Sequence, residues 1–569
     1  MDTASQLLQR QRFLAVRFVA CVVLGTLATA PMVFGQAAAK ADVSVSAADA
    51  DAWAYRIATG DTLIGIADEF LTRAADWPRL QRLNQIADPL RLVPGSEIRI
   101  PTAWLRHTAT VAEAVFVRGA VTVQRGLTEP AMAVQTGGLL RAGDVLRTAA
   151  DASLSLRFAD GSRLMVAPDS QIAIVQLLTV GRGARPSMRV RLDHGGADAQ
   201  VVPRPNHDTR FEIRTPAVNL GVRGTEFRAR VDAQRATTHL EVLGGRVQAA
   251  AAGDAKLLGG GLGVVAETGR PIPPPQQLLA APDLSGFPPL VQRLPLRLSW
   301  PVLAGARGYR AQVLAADSDD QLLLDGVFTD ATARWADLPD GSYRLRARAL
   351  DEKSLEGLNA TVPFVLHARP EPPFASAPLN GAVAYGDRTS LLWARSTAAA
   401  RYRLQVADAA DFKRNLVDSD ELSATSRTVP LPAGTYYWRV ASIAADGRVG
   451  PFSDTQSYTQ KPTPAVPVMD APQLGPDGMQ LRWQAATPGQ KVQFQVADDS
   501  GFAHLLRDQI TDEAQLTLTD LKPGTTYFLR ARTIEADGFE GPFGATQQVD
   551  SPRAAPWWLL VPMPLLLLF

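Results

Sequence analysis

Histidine and cysteine, two residue types that often carry catalysis or bind metals, are sparse in this chain. Its six histidines form neither a His-x-His pair nor a His-Glu-x-x-His motif, the spacings that hold zinc on one strand or helix: His107, His194, His207, His239, His367 and His504. Cys21 is the only cysteine, and the chain has neither a Gly-x-Ser-x-Gly elbow nor a phosphate-binding loop. We therefore predict no catalytic residues, no metal site and no cofactor.

One charged pair invites a catalytic interpretation. Arg223 and Glu226 lie three residues apart among glycines, in Gly-Val-Arg-Gly-Thr-Glu-Phe. Such a pair is more typical of a turn that carries a local ion pair, and we predict that role here.

Length, composition and net charge indicate how the chain is divided into domains and which partners it lacks. At 569 residues and 61.0 kDa the chain is too long for one core, and 46% hydrophobic with 20% charged residues is typical of globular domains. The 41 prolines and 44 glycines predict many turns and linkers. The net charge of +1 gives no basic field, and no basic cluster alternates with aromatics, so we predict no nucleic-acid partner.

The amino terminus has the pattern of an export signal. Three arginines precede an apolar run over 18–34, and Ala37 to Ala39 offer the small residues that a signal peptidase needs. We predict a signal peptide over 1–39, whose removal takes away three Arg and one Asp and leaves a net charge of −1. A retained membrane anchor is the alternative, because the run has about 17 of the ~20 residues that span a bilayer.

Cysteine usage agrees with export. A lipoprotein would need cleavage at Cys21, but the residues that follow it, Val22 to Leu27, are apolar where a mature lipoprotein turns polar. Cleavage after Ala39 leaves a chain without thiols, which suits an oxidising periplasm.

Residues 53–104 have the periodicities of two strands that flank two helices. Apolar positions follow first a strand period and then a helix period: Trp53, Tyr55 and Ile57, then Leu63, Ile66, Ala67 and Phe70. Gly60 to Thr62 form a turn that can cap this helix. A second helix starts at Asp76-Trp77-Pro78, with Leu80 and Leu83 expected to face inward, and a strand runs from Glu97 to Ile100.

Three phrases in this βααβ segment resemble the LysM family. They are Tyr55-Arg-Ile-Ala-Thr-Gly-Asp-Thr-Leu63, Leu83-Asn84 and Pro94-Gly-Ser-Glu-Ile-Arg-Ile-Pro101. The resemblance implies binding of N-acetylglucosamine chains, chiefly peptidoglycan, in a shallow groove between two loops. The implied glycan-binding residues are Gly60, Asp61, Thr62, Leu63, Ile86, Ala87 and Asp88.

Two observations bear on that groove. Gly60 and Asp61 could instead serve only to build the turn and cap the helix. Ile64-Gly65 stands where the family often has a Trp followed by a small polar residue, so a stacking surface is missing and we expect low affinity.

From Val111 to Thr268 the pattern is strand alternation, with a hairpin turn at Asp160-Gly161. Five phrases resemble the periplasmic domain of FecR proteins: Leu140-Arg-Ala-Gly-Asp144, Leu156-Arg-Phe-Ala-Asp-Gly-Ser162, Arg214-Thr-Pro216, Gly221-Val-Arg-Gly-Thr-Glu-Phe227 and Leu240-Glu-Val-Leu-Gly-Gly-Arg246. The family relays signals to a sigma factor through a cytoplasmic segment. Only 17 residues precede the apolar run, so we expect an envelope interaction module without that regulatory role.

The remainder is a threefold repeat. Trp300, Trp393 and Trp483 are separated by 93 and 90 residues, and a glycine follows each by 41. Stretches such as Leu431-Pro-Ala-Gly-Thr-Tyr436 resemble fibronectin type III sandwiches, in which the Trp is core and the Tyr hydroxyl ties down a corner. We assign repeats to 290–368, 374–460 and 468–548. A Pro-rich linker over 269–289 and joints at 370–373 and 462–467 are expected to be semi-rigid spacers.

The carboxyl-terminal tail, 556–569, is apolar but contains Pro562 and Pro564. Thirteen residues as a helix span about 20 Å, short of the ~30 Å hydrocarbon core. Anchoring at a membrane surface by Trp557 and Trp558 and docking as a strand on the last repeat both remain open.

The sequence therefore predicts a multidomain, mainly β protein: a small βααβ LysM module, a β-rich FecR-like domain and tandem fibronectin type III-like sandwiches. The predicted function is a non-enzymatic protein of the periplasm or cell envelope, with peptidoglycan and an unidentified envelope protein as partners. A FecR-type signalling component and a peptidoglycan hydrolase with an unrecognised site are the alternatives.

Overall fold

The computed structural model describes residues 52–126, 129–182, 185–203, 210–475, 478–484, 487–551 and 553. The predicted signal peptide and the apolar tail lie outside the described residues. Two compact units divide the chain, 1–106 and 107–569. No helix in the described ranges is long and apolar enough to cross a membrane.

The first unit is a βααβ module, as the sequence predicts. Strands β1 and β2 pair antiparallel, with Tyr55 opposite Ile98. The helices pack their apolar faces on this pair, and Leu63, Ile66 and Phe70 are buried. Leu80 is buried as expected, but Leu83 is 45% exposed, because it closes the second helix on the solvent side. The elements are β1 Ala52–Arg56, α1 Leu63–Phe70, a 3₁₀ turn Ala74–Asp76, α2 Trp77–Leu83, β2 Glu97–Pro101 and a 3₁₀ turn Thr102–Trp104.

The second unit begins with the FecR-like domain, a large and mostly antiparallel sheet. The predicted hairpin turn is present: Gly161 has φ +88°, and Arg157 pairs with Arg163 across it. Alternate side chains form one continuous apolar core. The strands are β3 His107–Ala109, β4 Ala112–Arg118, β5 Val121–Arg125, β6 Met132–Ala133, β7 Leu139–Leu140, β8 Asp144–Thr148, β9 Ser153–Arg157, β10 Arg163–Val166, β11 Gln171–Val180, β12 Arg185–Gln200, β13 Arg210–Arg214, β14 Asn219–Asp232, β15 Thr237–Ala251, β16 Asp254–Gly259, β17 Leu262–Glu267 and β18 Gln276–Gln277.

The segment 269–289, expected to be a linker, is packed instead. Strand β18 within it pairs with β17. Ile272 lies in the core of the FecR-like domain, whereas Leu284 and Phe287 lie in the core of the first repeat. Apolar side chains between the prolines therefore bind this segment to two domains, which a free spacer does not do.

Repeat 1 places a five-stranded sheet, in the order β19-β25-β24-β21-β22, against the pair β20-β23. Its core tryptophan, Trp300, is buried, as predicted. The strands are β19 Leu290–Val291, β20 Leu296–Ser299, β21 Gly308–Ala315, β22 Leu322–Phe328, β23 Thr332–Trp335, β24 Gly341–Leu350 and β25 Ala360–Leu366.

Repeats 2 and 3 each place a three-stranded sheet against a larger one. Trp393 and Trp483 are buried in their cores, as predicted. The strands of repeat 2 are β26 Ala375–Ala377, β27 Ala382–Tyr385, β28 Arg388–Trp393, β29 Arg401–Ala407, β30 Asn415–Leu422, β31 Ser426–Pro430, β32 Gly434–Ile443, β33 Val449–Phe452 and β34 Gln456–Lys461. Those of repeat 3 are β35 Gln473–Gly475, β36 Gly478–Arg482, β37 Lys491–Ala497, β38 Leu505–Thr511, β39 Gln515–Leu518, β40 Thr526–Ile534 and β41 Gln547–Asp550.

The predicted tyrosine corners are present in all three repeats. Tyr343 and Tyr436 donate their hydroxyls to the carbonyls of Pro339 and Pro432, at 2.7 and 2.9 Å. In repeat 3 the Tyr527 hydroxyl instead accepts a backbone hydrogen bond at 2.6 Å. Each bond fixes the turn before a core strand.

Candidate functional site

The loop from Gly60 to Leu63 is built by its own side chains. The Asp61 carboxylate accepts hydrogen bonds from the Ala58 amide at 2.7 Å and the Tyr55 hydroxyl at 2.8 Å. The Thr62 hydroxyl accepts the Gly65 amide at 3.1 Å and so caps α1. Gly60 has φ +93°, a conformation that other residues rarely adopt. Asp61 and Thr62 therefore have structural roles, and Gly60 shapes the turn.

The loop after α2 is closed in a similar way. Ile86 exchanges two hydrogen bonds with Gln81, at 3.1 and 3.0 Å. The Asp88 carboxylate accepts the Leu90 amide at 2.9 Å. Ala87 and Asp88 are exposed, and Ile86 is half-buried. The loop thus offers a small side chain and backbone groups to solvent.

A single backbone hydrogen bond brings the two loops together. The Leu63 amide donates to the Pro89 carbonyl at 2.8 Å, while the Leu63 side chain is buried beneath the loops. Beside this contact Ile64 and Leu90 are 42% and 62% exposed. The seven residues predicted from sequence therefore lie on two adjoining loops at the start of α1. Their surface combines backbone groups with exposed apolar side chains.

Asn84 has a role that the sequence pattern did not reveal. Its side chain donates to the Arg99 carbonyl at 2.8 Å and accepts the Arg99 amide at 2.6 Å. It also donates to the Leu80 carbonyl at 3.0 Å. Asn84 thus ties the end of α2 to β2 and holds the second loop in place.

Arg223 and Glu226 lie within strand β14 rather than in a turn. The pairing of β14 with β15 is irregular between these residues, and Gly224 has φ +59°. They therefore flank a β-bulge. The Arg223 side chain lies outside the described residues, so the predicted ion pair stays a prediction.

A cluster of buried charges lies between the FecR-like domain and repeat 1. The Glu356 carboxylate lies 2.6 Å from Arg348 and 3.0 Å from Arg310, both in its own repeat. From the FecR-like domain, Arg228 and Arg230 approach it at 3.4 and 3.5 Å. Four guanidinium groups thus surround one carboxylate across a domain boundary.

Acidic groups of both domains complete this cluster. Asp198 of the FecR-like domain pairs with Arg348 at 3.2 Å. Asp325 of repeat 1 binds Arg310. The Glu241 carboxylate of the FecR-like domain accepts the Glu356 amide at 3.0 Å. We name these eight residues the interface cluster: Asp198, Arg228, Arg230, Glu241, Arg310, Asp325, Arg348 and Glu356.

Two carboxyl groups of the interface cluster have displaced pKa values. Burial, with a further contribution from the Glu356 carboxylate, raises the pKa of Glu241 to about 7. Burial would also raise the pKa of Glu356, but the arginines around it, Arg348 first, outweigh that effect and hold the pKa well below its usual range. Glu356 is therefore the anionic centre of the interface, and Glu241 titrates near neutral pH.

Neutral contacts extend the same interface. The Ser153 hydroxyl donates to the Leu322 carbonyl at 2.8 Å. Met165 of the FecR-like domain packs with Leu314 and Leu322 of repeat 1. The two domains are therefore joined by apolar, hydrogen-bonded and ionic contacts together.

One group of possible metal-binding side chains occurs among the described residues, in repeat 3. Ligand atoms of Asp498, Asp499 and His504 lie within 4.8 Å of one another. The Asp499 carboxylate already accepts three backbone amides of its own loop, including that of His504. Loop closure accounts for this group.

Comparison with known families agrees with this architecture. Residues 55–101 match the model of the LysM domain, and residues 144–248 match that of the FecR protein family. The chain therefore contains a LysM domain followed by a FecR domain. These are binding or regulatory domains, typical of the bacterial envelope: LysM domains bind peptidoglycan, and FecR domains engage other proteins in signalling.

The repeats are fibronectin type III-like. Fibronectin type III domain-containing protein 7 of mouse is 25% identical over 163 residues, which is 28% of this chain and 21% of that protein. The chain thus spans about a fifth of the length of this relative.

Two solved structures show similarity at low identity. The FN1–FN3 domains of chicken CNTN1 are 17% identical, with 45% of this chain and 94% of that chain covered and a TM-score of 0.24. A putative anti-sigma factor from Parabacteroides distasonis is 13% identical, with 23% and 59% covered and a TM-score of 0.20.

Proposed function

We propose that this protein is a non-enzymatic component of the bacterial periplasm, exported by its amino-terminal signal. Its LysM domain binds the N-acetylglucosamine chains of peptidoglycan. The FecR domain and the fibronectin-like repeats engage another envelope protein. The domain types support attachment and protein contact rather than bond cleavage.

The hydrogen bond from Leu63 to Pro89 carries the proposal. This hydrogen bond joins the two loops directly, so that Gly60, Ala87 and Asp88 share one exposed surface. Sugar acetamide and hydroxyl groups need directional hydrogen bonds, which backbone groups provide. Sugar rings also present apolar faces, for which Ile64 and Leu90 are exposed nearby.

Ala87→Trp tests the groove more directly than any change at Gly60. Gly60 has a positive φ, so a side chain there strains the turn as well as filling the surface. Ala87 is exposed on the loop surface. We expect Ala87→Trp to abolish co-sedimentation of the exported protein with purified sacculi while the melting temperature stays near that of the parent.

Ala103→Trp is the matched control. Ala103 is also exposed, but it lies in the segment that bonds to the carboxyl end of α1, through the Thr72 amide and the Trp104 carbonyl at 2.8 Å. This variant should bind sacculi like the parent. Full binding by folded Ala87→Trp, or binding that survives deletion of 53–104, would contradict the proposed site.

A periplasmic signalling component is the second candidate, and the match to the FecR family favours it. In that case deletion of the gene should change transcription of a defined regulon, and a chain that lacks 53–104 should restore it. A scaffold attached to peptidoglycan predicts instead that 53–104 is essential for complementation.

A further inference from the structure

In the first two repeats, a strand from the start of the repeat covers the outer edge of the last strand. Strand β19 runs parallel to β25, with Leu290 opposite Val365, and β27 runs parallel to β34. The Val365 amide donates to the Pro289 carbonyl at 2.8 Å. In repeat 2 the Ser457 carbonyl accepts the Gly381 amide at the same distance. The last strand of each of these repeats is therefore closed to a further strand.

The last strand of repeat 3, β41, is not covered in this way. It ends the sheet β38-β37-β40-β41, and no strand of the described residues pairs with its outer edge. The reason is the length of the segment that opens the repeat. In repeat 2 Ala375 pairs with Trp393, 18 positions later, whereas in repeat 3 Met469 pairs with Trp483, 14 positions later. The shorter segment forms β35, which pairs with β36 in the smaller sheet instead of crossing to β41.

The core beside this edge also differs between the repeats. The residue opposite the corner tyrosine is Phe364 in repeat 1 and Tyr458 in repeat 2, and both rings are buried. Their centroids lie 5.7 and 5.8 Å from those of the tyrosine rings. In repeat 3 this residue is Val549, which is only half-buried. Repeat 3 therefore has its smallest side chain at the edge that no described strand covers.

The backbone groups along this edge point away from the sheet. The Ser551 amide donates to the Thr525 carbonyl at 2.9 Å, so alternate residues of β41 bond to β40. The residues between them, Gln548 and Asp550, therefore direct their amides and carbonyls outward. The covering strands of repeats 1 and 2 bond to the backbone groups at these same two positions of the ladder.

We propose that the chain's own tail covers this edge, with Trp557 to Val561 added as a strand antiparallel to β41. The tail lies outside the described residues, but it follows β41 closely in sequence. The ladder continues to Ser551, and the next five residues, 552–556, match the length of a hairpin loop and begin and end with proline. The five residues after them are apolar and contain no proline, whereas Pro562 cannot donate a ladder hydrogen bond and ends the strand.

The register of this hairpin places apolar side chains where the core has its smaller residue. A five-residue loop sets Leu559 opposite Val549. It sets Trp557 opposite Ser551, on the same face. Both side chains then point to the core of repeat 3, and Leu559 adds apolar volume beside the half-buried valine. Leu560, the next residue, points outward. The tail in this arrangement has one inward and one outward tryptophan instead of a pair that anchors at a membrane surface.

Hydrogen–deuterium exchange of the purified exported chain, in the absence of lipid, tests the docking. We expect the amides of Gln548 and Asp550 to exchange slowly in the parent, because the tail bonds to them. Leu559→Asp sets a carboxylate against the core, so it should release the tail and speed this exchange by at least about tenfold. Leu560→Asp is the matched control, because its side chain points outward, and both amides should stay as slow as in the parent. Fast exchange in the parent, or equal exchange in the two variants, would overturn the proposal.

Engineered disulfides test the register and show which chain supplies the strand. With Cys21 replaced by Ser, Gln548→Cys and Leu560→Cys form a directly opposite pair, whose Cα atoms should lie about 5.5 Å apart, within the reach of a disulfide. Mild oxidation should link this pair within one chain. Gln548→Cys with Leu559→Cys is the control, because these side chains lie on opposite faces, and it should stay reduced. An unlinked first pair, a link between two chains, or equal linking of both pairs would contradict the docked tail.

Discussion

The Glu356 carboxylate of repeat 1 lies 3.4 Å from the Arg228 guanidinium of the FecR-like domain, and their side chains are only 5% and 3% exposed. Charges buried to this degree lose most of their hydration, a cost of several kcal/mol each that only close opposite charges offset. Both domains contribute charges to the interface cluster, so neither satisfies its own charges alone. The FecR-like domain and repeat 1 therefore behave as one docked pair.

Replacing Glu356 tests this coupling. Glu356→Gln removes the anion that four arginines share, and we expect it to destabilise the interface by about 3 to 5 kcal/mol. Hydrogen–deuterium exchange of β14 and β24 measures the effect, since both strands should open more often. The matched control is Glu352→Gln, whose exposed carboxylate pairs with Arg307 at the surface and whose loss should leave the exchange of both strands close to that of the parent. Equal exchange in the two variants would contradict the docked pair.

The pKa of Glu241, about 7, predicts a pH dependence. A carboxyl group whose pKa is raised by folding binds its proton more tightly when folded. Its contribution to stability is therefore full below about pH 4.5 and falls as the pH rises to about 7. Relative to Glu241→Gln, the free energy of unfolding of the parent should fall by on the order of 3 kcal/mol between pH 5 and pH 8.

Neighbouring groups define the control for this measurement. Burial lowers the pKa of His239 below 6.5. The free energy of unfolding therefore increases as the pH rises to 6.5, which opposes the decrease that Glu241 causes. Glu356, whose pKa is lowered, stabilises the fold fully at neutral pH and makes stability depend on pH only below about pH 4.5, where its stabilisation is lost as the pH falls. Both remain in Glu241→Gln, so the difference between variant and parent isolates Glu241. If the difference in free energy of unfolding between the parent and Glu241→Gln does not vary with pH, Glu241 is ionised throughout this pH range.

Local patterns were sufficient to predict the domain types and their cores. Trp300, Trp393 and Trp483 stand out because alternation and repeat spacing are both short-range signals, and all three are buried. The helix cap at Thr62 is equally local, since its partner is three residues away. The sequence thus carries enough information for elements whose contacts lie close along the chain.

The interface cluster was missed because its partners are far apart in sequence. Arg228 and Glu356 are separated by 128 residues, and neither belongs to a periodic pattern. A comparison of the repeats does contain a signal for the interface cluster. Repeat 1 has Arg348 and Glu356 where repeat 2 has Ala441 and Val449, so a charge pair appears on a face that is otherwise apolar at those positions. The bond from Leu63 to Pro89 gave no such signal, because it joins backbone atoms.

Removing a core tryptophan should destabilise its repeat. Trp393 is 3% exposed and packs edge-on against Tyr402, with ring centroids 5.7 Å apart. We expect Trp393→Ala to lower the free energy of unfolding of repeat 2 by about 3 to 5 kcal/mol. Phe374→Ala is the control, because that ring is 84% exposed. A loss below about 1 kcal/mol for Trp393→Ala, measured by denaturant unfolding, would point instead to a ring available for sugar stacking.

The joint between repeats 2 and 3 should lose rigidity when one ring is removed. The Tyr385 ring stacks on Phe539, with centroids 3.9 Å apart and planes inclined by 14°. Its hydroxyl donates to the Asp537 carboxylate at 2.7 Å. These contacts cross from β27 to the far repeat and supplement the proline-rich segment, which alone acts as a spacer of limited stiffness. Tyr385→Ser removes both of them.

Distances between spin labels on the two repeats measure this change. Lys413 and Glu513 are exposed, and each can be replaced by Cys and labelled. The labelling is specific because Cys21 is the only native cysteine and can be replaced by Ser. We expect Tyr385→Ser to broaden the distance distribution, since the two repeats then pivot about the proline-rich segment, which the hydrogen bond from Thr533 to the Ala465 carbonyl ties to repeat 3. Val383→Ser, a change at an exposed residue of the same strand, should leave the distribution narrow. Equally narrow distributions in both variants would show that the prolines and backbone contacts fix the joint without the aromatic stack.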